Sequence, residues 1–295
     1  MPNFNQKLSI IIPTLNEEKY IPLLLESIKG QNFNGDYEII VADAGSEDKT
    51  KEIAESYGCR VVSGGLPAKG RNQGARAASG DLLLFLDAEV VLSKNFLEKV
   101  LSEFKERNLD AAGCAIEPIE EKWIPRFVFP KFSYNLLYNW PARFLENALP
   151  YASSMILIKK DIHERLRGFN EEIKIAEDHN YVQRAAKIGK FGFLKSSKVP
   201  LFLRRCQKEG IIKTNLKYLF CNLFNITLGE VKSDIFKYHF GQYKNKNKNN
   251  TLFIPQFLWI LAYYIMAGLT LIIWLMIFLI FTPKLLIHTL SLKDF

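Results

Sequence analysis

The 295-residue chain has only four cysteines, Cys59, Cys114, Cys206 and Cys221, and none is paired by spacing. That excludes a disulfide-stapled scaffold and a zinc finger, and it fits a reduced, cytosol-facing setting. A signal peptide is also missing from the reading. "MPNFNQKLSIIIPTLNEE" holds an apolar run of only a few residues, ended by Pro13. Charge is absent between Lys248 and Lys284. Within that gap, residues 252–281 are 30 residues rich in Leu, Ile, Phe, Trp and Tyr. About 20 suffice to cross a bilayer core. A transmembrane segment is therefore expected over 251–283, as one tilted span or as a re-entrant pair bent at Gly268. Lysines 244, 246 and 248 precede it and favour the cytosol for that end.

Charge of one sign is scarce near this run. Residues 206–295 carry ten lysines against four acids, most of the chain's net +8. Charge alone permits a nucleic-acid partner. Basic residues beside an apolar run favour a membrane surface instead, and no nucleic acid is expected. Between 210 and 240, Ile212, Leu216, Leu219, Leu223 and Ile226 recur at helical spacing with lysines between them. This reads as an amphipathic helix lying on the inner leaflet or on the catalytic domain. "QYKNKNKNN" (242–250) reads as a polar linker.

The first 200 residues alternate. "LSIIIP" (8–13), "YEIIVAD" (37–43), "CRVVSG" (59–64) and "DLLLFLD" (81–87) read as strands. "NEEKYIPLLLESIKG" (16–30), "SEDKTKEIAESYG" (46–58) and "GRNQGARAASG" (70–80) read as helices. Strands alternating with helices imply an α/β fold with a mostly parallel sheet covered on both faces. Ligands of such sheets gather outside the carboxyl ends of the strands. Asp87 and Glu89 lie at one of those ends, after five unbroken apolar residues, Leu82 to Leu86. Adjacent acids at a buried edge repel unless a cation neutralises them. Mg²⁺ or Mn²⁺ held by one or two carboxylates plus substrate phosphates meets that need.

"IIPTLNEE", "EIIVADAGSEDKT", "AKGRNQGARAASGDLLLFLDAEV", "RGFNEEIKIAEDHNYVQRAAKIGKF" and "LRR", in this order and spacing, resemble a family 2 glycosyltransferase of the GT-A fold. The resemblance covers residues 6–206. It implies a nucleotide-sugar donor (UDP-, GDP- or dTDP-linked), a divalent metal, and inversion at the anomeric carbon. By the same resemblance, Pro13, Thr14 and Glu17 line the nucleoside pocket, and Asp43 contacts the base. Where the family often has a second acid beside it, this chain has Ala44. Arg71 and Asn72 match the loop near the donor, and Lys69 with Arg71 is placed to screen a diphosphate. Ser46 and Asp48 read as helix caps, and Gly74 and Ala75 as close-packing residues. Asp87 and Glu89 match the metal–diphosphate motif, with Glu at a position that is more commonly Asp.

An inverting transfer onto a hydroxyl needs a base. Glu177 and Asp178 match the family's Glu-Asp motif, which implies Asp178 as base with Glu177 second; a plain helix start decorated with acids would read the same way. "GFNEE" (168–172) matches the loop near the acceptor. Arg204 and Arg205 fall where a basic residue faces the leaving diphosphate. The aromatic segment 121–158 reads either as the mixed half of the fold or as an interfacial segment.

The expected organisation is a catalytic domain (1–206), amphipathic helices with a linker (207–250), a membrane segment (251–283) and a tail (284–295). The expected activity is transfer of one sugar to a membrane-linked glycan, glycolipid or polyprenyl phosphate, on the cytoplasmic side of the cell membrane. Two other readings remain. One is a membrane-anchored nucleotide-sugar-binding protein, against which the intact acids argue. The other is a sugar nucleotidyltransferase, which usually shows a Gly-rich basic loop where this chain has "PTLNEE". A processive synthase would carry several membrane helices and a Gln-x-x-Arg-Trp motif, which this chain lacks.

Overall fold

The computed structural model describes residues 6–119 and 135–209, with the single positions 214, 268 and 272. The apolar run, the amphipathic stretch, the linker and the first part of the aromatic segment lie outside the described residues, apart from those positions. Among the described residues no helix is long and apolar enough to cross a membrane.

One seven-stranded sheet organises the chain, in the order β3-β2-β1-β4-β6-β5-β7. Its first half is β1 (Leu8–Thr14), β2 (Tyr37–Asp43), β3 (Arg60–Ser63) and β4 (Leu82–Leu86), all parallel. The helices between them are α1 (Ile21–Lys29), α2 (Thr50–Ser56) and α3 (Pro67–Ala77). Pro22 sits in the first turn of α1 and Pro67 in that of α3, where their fixed φ suits a helix start. The second half is mixed. After α4 (Phe96–Glu106) come β5 (Ala111–Pro118), a π-helical turn (Asn135–Asn139) and the short α5 (Trp140–Phe144). Then follow β6 (Met155–Lys159), α6 (Lys160–Arg165), α7 (Glu177–Ile188), β7 (Phe191–Leu201) and α8 (Arg204–Glu209). Strand β6 runs antiparallel to both β4 and β5, so the sheet is mostly but not wholly parallel. The sequence-based boundary at 206 falls inside α8.

The pleat of β1 sorts two cores. Leu8, Ile10 and Ile12 face α1 and α4, with Ile21, Leu24, Leu25 and Ile28 recurring at helical spacing. Ile11 faces the other way, with Leu83 and Phe85, toward α3 and α7. All five residues of β4 are buried, which is why they read as a continuous apolar run. Gly74 lets α3 reach this sheet: a Cβ there would lie 2.3 Å from Ile11 Cγ2. Under α7, Phe169 stacks on Tyr181 with ring centroids 3.7 Å apart, and Phe85 meets both edge-on.

Two predictions follow from this packing. Gly74→Ala forces α3 away from β1, so urea unfolding is expected to show a loss of about 1–3 kcal/mol; unchanged stability would mean that α3 has slack. His163 on α6 is buried among these rings, with Nδ1 2.6 Å from the Tyr181 hydroxyl. Burial, helped by Arg184, Arg76 and Lys160, pushes its pKa down from 6.5 to about 4. The unfolded chain therefore takes up the proton first. The stabilisation is complete above the unfolded value and is lost as pH falls from about 6.5 to 4, by about 3 kcal/mol in full. The stability gap between wild type and His163→Gln should narrow by about 2 kcal/mol from pH 7 to pH 4.5. A gap independent of pH would contradict a neutral buried imidazole.

Candidate active site

The carboxyl ends of β1 and β4 and the exit of β7 converge on one cleft of about 180 Å³. Its lining includes five carboxylates (Glu17, Asp87, Glu89, Glu177, Asp178) and three arginines (Arg71, Arg204, Arg205). The acid–x–acid segment is pinned by its backbone. Asp87 N–H donates to Ser154 O at 3.0 Å, Val91 N–H to Pro200 O at 3.0 Å, and Phe202 N–H to Glu89 O at 3.1 Å. The start of β6 and the end of β7 thus hold both acids at the rim of β4.

Two arginines are shared among four of these five acids. Arg71 Nη2 lies 2.8 Å from Asp87 Oδ1 and Nη1 2.6 Å from Glu177 Oε1. Burial works against its charge, but Asp87 and Glu177 outweigh it and hold its pKa above the ordinary value. Arg204 Nη1 pairs with Glu17 Oε2, and its Nε lies 2.9 Å from Glu89 Oε2. That second contact is an ion pair out of hydrogen-bond alignment: Glu89 Oε2 is buried and accepts no hydrogen bond. Burial pushes Glu89 up to about 7 against the pull of Arg204, and Asp87 and Glu17 push the same way. Burial likewise raises Glu17 and Glu177 despite their arginines. These carboxylates are short of positive charge.

That shortage is the test of whether a divalent cation fits. Among the described residues no group of three or more His, Cys, Asp or Glu side chains forms a metal cage. Asp87 and the unsatisfied oxygen of Glu89 supply two hard oxygen donors, which is the protein's share when phosphates and water complete a Mg²⁺ or Mn²⁺ shell. The residues fit.

Across the cleft stands the start of α7. Ala176 holds a left-handed φ of 60° immediately before Glu177. For a residue with a Cβ this costs roughly 1 kcal/mol, the kind of strain that collects at sites. It turns the chain so that Glu177 points back to Arg71 while Asp178 lines the cleft. Asp178 Oδ1 accepts the His179 N–H at 2.8 Å. The His179 ring packs on Tyr151, centroids 4.4 Å apart.

Pro13, Glu17, Arg71, Asp87, Glu89, Glu177, Asp178, Arg204 and Arg205 are thus brought together. Thr14, Asp43 and Asn72 are not among the cleft's lining residues. Asp43 is 4% exposed and accepts from Thr14 Oγ1, Gly45 N–H and Ser46 N–H at 3.1, 2.9 and 2.8 Å. Burial raises its pKa, and these bonds, led by Ser46, overcome that and lower it. Ser46 does not cap α2: its hydroxyl serves Asp43 and accepts from Asn16 N–H. Asp48 does accept the Thr50 N–H at the helix start. Asn72 clasps the loop between α6 and α7, donating to Phe169 O at 2.9 Å and accepting from Phe169 N–H at 2.8 Å.

Several lining residues were singled out by no motif, among them Thr214 and, within the aromatic segment 121–158, Tyr138 and Tyr151. The side chain of Asn139 bonds both backbone groups of Ile116 on β5, at 3.0 and 2.7 Å, which sets its neighbour Tyr138 into the cleft.

The poly(ribitol-phosphate) beta-N-acetylglucosaminyltransferase TarS of Staphylococcus aureus is 28% identical over 189 residues, 61% of this chain and 32% of that protein. The chain therefore spans about a third of that relative. The glycosyltransferase AglE of Haloferax volcanii is 31% identical over 61% of this chain and 62% of its own length. The minor teichoic acid biosynthesis protein GgaB of Bacillus subtilis is 28% identical over 80% of this chain and 27% of its own. Among solved structures, S. aureus TarS 1–349 in complex with UDP-GlcNAc aligns with a TM-score of 0.53 and 26% identity, covering 66% of this chain and 58% of that one. The mannosyltransferase PcManGT of Pyrobaculum calidifontis, in complex with GDP-Man and Mn²⁺, aligns at TM-score 0.53 and 18% identity over 74% and 65%, a likeness of fold alone. The family model for glycosyl transferase family 2 matches residues 9–167, more than half of the chain. The chain belongs to glycosyl transferase family 2.

Proposed function

We propose that the protein is an inverting, metal-dependent glycosyltransferase that moves one sugar from a nucleotide-sugar donor to an envelope glycan or lipid at the membrane. The observation that carries this reading is the charge balance of the cleft. Among the described lining residues five carboxylates outnumber three arginines, so a diphosphate would be repelled unless a divalent cation entered with it. Asp87 and Glu89 would hold Mg²⁺ or Mn²⁺. The bound ion would supply positive charge to the diphosphate as it leaves.

The rest falls to the chain's own side chains. Arg204 and Arg205 lie where they can face the diphosphate, and charge-assisted hydrogen bonds from Arg are strong. Pro13 and Glu17, at the end of β1, lie on the donor side, and Thr14 and Asp43 shape the turn behind them. On the opposite wall Asp178 accepts the acceptor hydroxyl's proton. The hydroxyl oxygen attacks the anomeric carbon, the carbon–oxygen bond to phosphate breaks, and its electron pair stays on the phosphate. One displacement of this kind inverts the carbon. Glu177 is occupied by Arg71, which favours Asp178 as the base.

The acceptor reading draws on two supports. Relatives named for poly(ribitol-phosphate) and teichoic acid act on envelope polymers. The uncharged run 252–281 is long enough to hold the domain at a bilayer. A tether raises the effective concentration of a membrane-bound acceptor. The catalytic domain would then face the cytosol.

A release assay across UDP-, GDP- and dTDP-sugars, with membranes as acceptor, tests the whole reading. UDP-sugars come first, because a structural relative is solved with UDP-GlcNAc. Asp87→Asn is expected to lower transfer by at least ~10²-fold, and Asp178→Asn to lower kcat ~10²–10⁴-fold with donor KM little changed. Normal turnover in excess chelator removes the metal from the reading. A collapse of donor affinity in Asp178→Asn moves that residue to binding. For the tether, a chain cut after Lys248 should release nucleotide slowly yet transfer poorly to membranes. Equal transfer by the cut chain would show that the tether plays no part in catalysis.

A further inference from the structure

Arg71 and Asn72 match a donor-side motif, yet the bonds their side chains make are to protein groups. Both guanidinium Nη atoms of Arg71 are committed, one to Asp87 at 2.8 Å and one to Glu177 at 2.6 Å. The group is 6% exposed and lies over the Phe169 ring at 5.4 Å. Phe169 is in turn clasped by Asn72 through both backbone polar groups. Two adjacent residues of α3 therefore fix three separate things: the rim of β4, the first residue of α7 and the loop between α6 and α7.

We infer that Arg71 is a positioning residue, a brace that sets the distance between the cation-side acid Asp87 and the proton-accepting Asp178 by gripping Glu177 next to it, and is not a ligand of the donor phosphates. This rests on the proposed transferase reading and deepens it. The two chemical halves of the reaction lie on different elements, the end of β4 and the start of α7, 91 residues apart in sequence. No backbone pairing joins α7 to β4. The arginine's planar fork is the link: it bonds one carboxylate from each side, and the stacked Phe169 ring restricts its tilt. Misplacement by about 1 Å of a catalytic group can cost ~10²-fold in rate. Loss of the brace should therefore appear in kcat and not in donor binding. Glu177 acts in this scheme as an anchor point; what it must keep is an acceptor oxygen for Arg71, not a basic carboxylate.

The test uses the full chain, with UDP, GDP and dTDP binding measured by calorimetry in Mn²⁺ beside steady-state kinetics. Arg71→Lys keeps the charge and loses the fork. It is expected to lower kcat ~10²-fold while nucleotide affinity and donor KM change less than about threefold. A tenfold or greater loss of nucleotide affinity makes Arg71 a phosphate ligand and overturns the inference, as does an unchanged kcat. Glu177→Gln and Glu177→Leu give a second arm if Arg71→Lys does not fold. The amide, which still accepts from Arg71, should retain kcat within about tenfold, and the leucine should match the ~10²-fold loss. Equal loss in both makes the Glu177 carboxylate itself the chemical group and overturns the brace. Wild-type protein that binds none of UDP, GDP and dTDP and releases none of them from a sugar overturns the transferase reading, and the brace with it.

Discussion

Like-charge repulsion is the constraint on which this structure turns. Among the described residues, five carboxylates meet at the carboxyl edge of one sheet, and burial penalises the charge of Glu17, Glu89 and Glu177. They stay together because Arg71 and Arg204 each reach two of them from different elements. The compensation is incomplete, as the raised Glu17, Glu89 and Glu177 show. A fully neutralised cleft would be more stable and would have no affinity for a cation. On the proposed reading, a divalent cation would make up that deficit.

Much of the first half was legible because its signals are local. The unbroken apolar run Leu82–Leu86 had to be a strand buried on both faces, and the acids after it had to lie at a strand's carboxyl end. The α1 and α2 periodicities, and the small residues of α3, needed no knowledge of the rest of the chain. Boundaries moved where a proline decided them: α3 begins at Pro67, three residues before the expected 70. The reversal of β6 was not legible. A strand's direction is a property of its neighbours, and "MILIK" reads the same either way. The acid pairs were legible by type. Their arginine partners were not, because contacts across 106 and 187 residues leave no spacing signal.

Motif resemblance located residues without naming their partners inside the chain. Arg71 and Asn72 match a donor-side loop, and the contacts their side chains make are to Asp87, Glu177, Phe169 and Glu171. Ser46 was read as a cap and binds Asp43. In each case the residue type was right for a polar contact, and the geometry chose a partner inside the chain. Short polar side chains at strand ends have several partners within reach, and sequence does not rank them. Asp43 shows the result: its carboxylate is bonded by its own turn, so it shapes the end of β2 rather than the wall of the cleft.

The pairing of Glu17 with Arg204 has a consequence for how the molecule is made. Glu17 follows the first strand, and Arg204 opens the last described helix. A chain leaves the ribosome from its N-terminus, and domains tend to form in that order. Strands β1 to β4 pair among themselves and can assemble while the second half is still being translated. The cleft cannot. Arg71 can meet Asp87 early and Glu177 once α7 has emerged, but Glu17 and Glu89 wait, hydrated and unpaired, until residue 204 has emerged. The donor-side acids therefore gain their counter-charge only through a late, long-range contact across 187 residues, and a product cut before residue 204 would carry the sheet without it.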